Sequence, residues 1–191
     1  MRVTHIYHSG FAVELPACTL LFDWYTGELP QLRRDLPLVV FVSHEHSDHY
    51  GRCIWPLREQ FPNTHYVLDK DVAADAPADA RVTAVEPHAS PTTLSIQTLE
   101  SNDEGVAFLV RAGETSIYFS GDLSSWQWRR PADQNAASEK FFRTELSRIA
   151  PGPVDLAFVP LDPRLKDPAA GIAAFMDVVG TRALFPMHYW R

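Results

Sequence analysis

The chain has 191 residues, 46% hydrophobic and 21% charged, which fits one soluble domain with a sizeable core. A net charge of −7 argues against nucleic-acid binding, which calls for a basic footprint, and Arg33-Arg34 and Arg129-Arg130 are the only basic doublets. No apolar run nears the about 20 residues of a membrane span, and no signal-peptide core opens the chain, so a cytoplasmic protein without membrane association is expected.

In chain order, short apolar or alternating runs predict strands at 3–7, 11–15 and 19–23, with turn signals at Ser9-Gly10 and Pro16. Leu38–Val42 is a continuous apolar run, as in a strand buried on both faces. A short helix is expected over 51–59, shortened or kinked by Pro56. The Ala- and Asp-rich stretch 73–80 reads as a surface helix or loop that need not divide domains. Further strands follow at 65–68, Val82–Val85, 94–99, 106–111 and 116–120, the last two joined as a hairpin through Ala112-Gly113-Glu114. Phe141, Phe142, Leu146 and Ile149 recur at helical spacing within 133–149. A strand is expected at 155–159, a helix from Asp167-Pro168 to near Gly180, and a last strand at 183–186 leading into Met187-His188. Cys18 and Cys53 give no disulfide framework and read as small core residues.

The chemistry concentrates in Ser43-His44-Glu45-His46-Ser47-Asp48-His49, directly after the run Leu38–Val42. Neutral imidazole is the commonest side-chain ligand for divalent metals, and structural turns do not favour repeated histidine. In an extended segment His44, His46 and Asp48 share one side. Four adjacent donors strain a single tetrahedral ion, so the spacing suits two metals, or one metal with a hydrogen-bonded partner. Asp122, after the apolar run 117–119, and His188, after the last strand, are further donors at strand ends. Strand ends converge on one edge of a sheet.

The pattern His44-x-His46-x-Asp48-His49, then Gly121-Asp122, then Met187-His188, resembles the metallo-β-lactamase superfamily over nearly the whole chain and in motif order. His8-Ser9-Gly10-Phe11 and Ser101-Asn102-Asp103-Glu104-Gly105 are similar to its small bacterial members, akin to the ascorbate-6-phosphate lactonase branch. The resemblance implies an α/β fold of the four-layer αββα sandwich type, a single domain over 1–191 with metals at one edge of the two sheets. It assigns His44 and His46 to a first metal and Asp48, His49 and His188 to a second, with Asp122 bridging. The family's third histidine for the first metal is missing; its place holds Ser101-Asn102-Asp103, which makes Asp103 or Ser101 the candidate replacement ligand. The tail also differs, since the chain ends at Arg191 almost directly after His188, where relatives usually continue.

The expected activity is metal-dependent hydrolysis of a small ester, lactone, amide or phosphodiester by a metal-bound hydroxide, with Asp48 as ligand and catalytic group. The expected cofactor is one or two Zn2+ ions, with Mn2+, Fe or Ni2+ as alternatives that N/O donors also accept. The alternative is a metal-binding protein of the same fold with a degenerate first site and little or no hydrolytic activity. His8, Trp126, Trp128 and Arg129 are candidates for the substrate pocket, where Arg129 or Arg130 could bind a phosphate or carboxylate. Asp23 is read as structural, steering the metal-binding loop, and Asp162-Pro163-Arg164 as a strand-end turn. The expected partner is a small-molecule substrate, and a homo-oligomer is compatible with the sequence.

Overall fold

In the computed structural model, residues 1–90 and 95–189 are described; the first residue of the predicted strand 94–99 lies outside them. The chain forms two compact units, Met1–Val85 and a second starting at Glu86.

The first unit is one six-stranded sheet: β1 Arg2–Tyr7, β2 Gly10–Glu14, β3 Thr19–Phe22, β4 Leu38–Val42, β5 Thr64–Asp69 and β6 Val82–Val85. Neighbours in the sheet are also neighbours in sequence. The pairs β1–β2 and β2–β3 are antiparallel, and β3 to β6 run parallel. Alternation along the strands sorts the side chains onto two apolar faces. Ala12, Leu21, Val40, Val42, Tyr66 and Leu68 pack with Ile54, Leu57 and Val72 of the short helical segments, while Phe22 stacks on Phe41 on the other face.

The second unit is a five-stranded sheet in the order β11-β10-β9-β8-β7, from β7 Ser95–Glu100, β8 Val106–Ala112, β9 Thr115–Phe119, β10 Val154–Pro160 and β11 Thr181–Met187. Here β7, β8 and β9 form an antiparallel meander, with Gly113 at φ +61° in the predicted hairpin turn, and β9, β10 and β11 are parallel. The helices α3 Ala132–Leu146 and α4 Ala170–Val178 cover one face. Phe142, Leu146 and Phe175 pack there on Leu109, Tyr118 and Ala157, each burial contributing about 1.5–3 kcal/mol.

Several local expectations are corrected. The helix over 51–59 is two pieces, a 3-10 turn Arg52–Ile54 and α1 Leu57–Gln60, because Pro56 sits at the N-cap of α1, where its missing N–H costs nothing. An unpredicted turn of helix, α2 Lys70–Ala73, is capped by Asp69, whose carboxylate accepts the Asp71 N–H at 3.0 Å. Helix α4 starts at Ala170 rather than Pro168, while the Asp167 carboxylate accepts the Ala169 N–H at 3.2 Å. Neither cysteine is a core residue: Cys18 is half-buried, and Cys53 is exposed with its Sγ 3.3 Å from the Tyr25 carbonyl.

The topology decides where chemistry can gather. In the first sheet β1, β3 and β4 point the same way, so His8, Asp23 and Ser43-His44 emerge at one edge. In the second sheet β7, β9, β10 and β11 point the same way and deliver Ser101, Asp122, Asp162 and His188 to one edge.

Candidate metal centre

In the first unit, β4 runs into the loop 43–49, which closes on itself where the His49 and Tyr50 N–H groups donate to the His46 carbonyl at 2.9 and 2.8 Å. His44, His49, Ser43 and Asp23 are fully buried, whereas His46 is exposed. Asp23 organises the loop. Its Oδ1 accepts the Ser43 N–H at 2.8 Å, and its Oδ2 lies 2.7 Å from both Ser43 Oγ and His49 Nδ1. A carboxylate against Nδ1 keeps the proton there, which leaves the His49 lone pair on Nε2. Ser43 spends its own proton on Asp23 and so accepts from His44 Nδ1 at 3.0 Å, which fixes the same tautomer in His44. His44 Nε2 and His46 Nδ1 then converge to 3.0 Å. Two nitrogens on one tetrahedral ion with bonds of about 2.0–2.1 Å would lie about 3.3 Å apart, close to what is found. His8 joins from the end of β1: donor atoms of His8, Asp48 and His49 lie within 4.8 Å of one another, with His8 Nε2 3.5 Å from Asp48 Oδ2.

In the second unit, carboxylates again stand close to a buried histidine. His188 Nδ1 lies 3.3 Å from the buried Asp162, and His188 Nε2 lies 3.4 Å from Asp122. Asp162 is clamped by Arg164, whose N–H and Nε donate to it at 2.8 and 2.9 Å and whose Nη2 also reaches it. Burial alone would push the Asp162 carboxyl up; the Arg164 hydrogen bonds outweigh it and hold it below the usual carboxylate range. Backbone strain marks these strand ends. Non-glycine residues with positive φ are His8 (49°), Asp23 (40°) and His188 (61°), with only His88 (61°) elsewhere among the described residues. Each turns the chain sharply at a sheet edge and re-aims a polar side chain.

The donor set, imidazole nitrogens and carboxylate oxygens with tautomers set by hydrogen bonds, fits a divalent transition metal. No family model matches the chain. Over 99% of its length it aligns at 27% identity with a UPF0173 metal-dependent hydrolase from Opitutus terrae, covering 85% of that protein. Igni18, a novel metallo hydrolase from the archaeon Ignicoccus hospitalis, superposes with a TM-score of 0.70 at 14% identity, covering 98% of this chain and 82% of Igni18. The metallo-β-lactamase fold protein YhfI from Bacillus subtilis gives a TM-score of 0.62 at 15% identity, covering 96% of this chain and 79% of YhfI. The chain has the metallo-β-lactamase fold. None of these relatives is named as an ascorbate-6-phosphate lactonase.

Around the donors of this metallo-β-lactamase-fold chain, Trp126 is buried, donates its indole N–H to the Asp122 carbonyl at 2.9 Å and sets its ring 5.4 Å from His188. Trp128 stacks on Trp126 at 6.0 Å, and the Arg164 guanidinium lies 5.6 Å from the Trp128 ring centroid. Arg129 is exposed. Ser101 Oγ accepts the Asp103 N–H at 3.1 Å, and Asp103 is exposed. Between them, Asn102 braces the loop after Asp122, donating to the Ser124 carbonyl at 2.8 Å and accepting the Ser124 N–H at 3.2 Å. Sequence reasoning missed the role of Asp162. The available signal was its place, an aspartate ending a buried strand just as Asp23 and Asp122 do.

Proposed function

We propose that this chain is a metal-dependent hydrolase of small esters, lactones, amides or phosphodiesters. The observation that carries the reading is the Asp23–Ser43 pair, which fixes the tautomers of His44 and His49 and so leaves Nε2 lone pairs for a cation. The Opitutus terrae relative, named a metal-dependent hydrolase, supports the same reaction class. In this reading residues 1–191 work as one domain. His44 and His46 would hold one ion and Asp48, His49 and His188 a second, with Asp122 as a further carboxylate donor. Asp103 or Ser101 takes the place of a third histidine on the first ion.

A divalent ion supplies Lewis-acid polarisation of the scissile carbonyl or phosphoryl group and lowers the pKa of a bound water from 15.7 to about 7. The N/O donors accept Zn2+, Mn2+, Fe or Ni2+. Asp23 holds His49 in the tautomer that leaves Nε2 for a cation, Asp162 sets a carboxylate 3.3 Å from His188 Nδ1, and Arg164 clamps Asp162. Asp48 is the carboxylate placed to orient a nucleophilic water or a leaving group, and His8 beside it lines the pocket. The oriented donors favour this reading over a degenerate metal-binding protein.

The test is His46→Ala. His46 is exposed, so its loss leaves the core untouched. The variant is expected to keep the fold by circular dichroism and to lose metal-dependent turnover on an ester, lactone and phosphodiester panel. Wild-type turnover in the variant would overturn the assignment.

A further inference from the structure

The second unit contains an open cleft of about 350 Å³, lined in part by Asp103, Trp126, Trp128, Arg130, Gln134 and Phe141. Its cation is unusual in being fixed but not neutralised. Arg130 Nε donates to the Asn135 side-chain oxygen at 2.7 Å and Nη2 to the Trp126 carbonyl at 2.9 Å. Both partners are uncharged, and Arg130 enters no ion pair among the described residues. The other arginine beside the tryptophans, Arg164, is tied to Asp162. In a chain of net charge −7, Arg130 therefore presents a preorganised positive charge with guanidinium donors to spare. The Gln134 side-chain amide makes no hydrogen bond among the described residues and adds an adaptable polar contact.

The cleft also shares a wall with the candidate centre. Trp126 lines it, and the same indole donates to the Asp122 carbonyl and packs 5.4 Å from His188. A ligand in the cleft sits one indole ring from two proposed metal-ligating residues.

We infer that this cleft is a subsite for small organic anions, with Arg130 taking a carboxylate or phosphate monoester and Trp128 and Phe141 flanking the ligand's apolar body. The inference names the substrate class for the proposed hydrolase and rests on that reading for its catalytic meaning, but binding in the cleft does not require the metal.

The experiment is a titration of the full-length protein followed by tryptophan fluorescence, once stripped of metal and dialysed free of chelator, and once loaded with Zn2+. The probes are benzoate, phenyl phosphate and neutral benzyl alcohol. Saturable binding of the anions and none of the alcohol is expected in both forms, with the tighter anion telling carboxylate from phosphate. Arg130→Gln should weaken the anions by about tenfold or more, and Arg130→Lys, which keeps the charge but loses the fork fixed by Asn135 and Trp126, should fall between the two. Gln134→Glu, which leaves the Arg130 hydrogen bonds in place, should weaken them as well. Equal affinity in Arg130→Gln or Gln134→Glu and wild type, or equal binding of the alcohol, would overturn the inference. Anion binding seen only with Zn2+ and insensitive to Arg130 would overturn it while leaving the hydrolase reading intact. Arg130-dependent binding in a protein that takes up no metal would uphold the subsite and sink the hydrolase instead.

Discussion

Asp23 Oδ2 lies 2.7 Å from His49 Nδ1, although 26 residues separate them in sequence. The contact exists because β3 and β4 are parallel neighbours, so the residue after β3 meets the loop after β4. Asp23→Asn keeps the shape but replaces one oxygen by an NH2 group, so the side chain cannot accept the Ser43 N–H on one side and the His49 and Ser43 hydroxyl protons on the other. Metal affinity should fall about 10- to 100-fold, measured by competition with a chromophoric chelator. Unchanged affinity would remove Asp23 from its orienting role.

Gly51 is where the histidine loop docks on the segment after Asp23. A Cβ at this position would stand 2.8 Å from the Tyr25 carbonyl oxygen and 3.2 Å from its Cα. Backbone cannot yield as a flexible side chain can. Gly51→Ala should cost about 1–3 kcal/mol in urea unfolding and lower the metal content with it. A variant as stable as wild type would show that the loop has slack.

Glu145 gives the acid limb of stability a specific origin. The residue is buried on α3, which by itself raises its pKa, but the Glu100 N–H, His88 and Arg148 outweigh this and hold it below its ordinary value of 4.5. A folded pKa below the unfolded one means stability that is complete above about 4.5 and lost as the pH falls through the lower folded value. The Glu100 carboxylate also lies close to His88 and Glu145. Glu145→Gln should cost about 1–3 kcal/mol near neutral pH and flatten the loss of Tm below pH 4.5. Parallel wild-type and variant Tm curves across that range would contradict it.

Asp103 carries the question of the first ion. If it replaces the missing histidine, Asp103→Ala should lower the occupancy of one metal and spare the other, read by elemental analysis after dialysis. Equal metal content in variant and wild type would remove Asp103 as a ligand.

The sequence made the donors legible because they follow apolar runs such as Leu38–Val42 and 117–119, and buried strands betray themselves by composition. What it could not supply was strand order. That Asp162 meets His188 depends on β10 lying beside β11, and that Asp23 meets His49 depends on β3 lying beside β4. Hydrophobic pattern does not encode either neighbour, so Asp162 read as a turn residue. Short helical segments escaped for a different reason: α2 is four residues long, and only its cap, Asp69, marks it.

The measurement that bears most directly on the account is an anomalous-difference map from crystals of metal-replete protein, paired with elemental analysis. The account predicts transition-metal peaks within bonding distance of His44 Nε2 and His46 Nδ1, and of Asp48, His49 and His188. A replete protein with no peak at these nitrogens, or with its metal bound elsewhere, would contradict it.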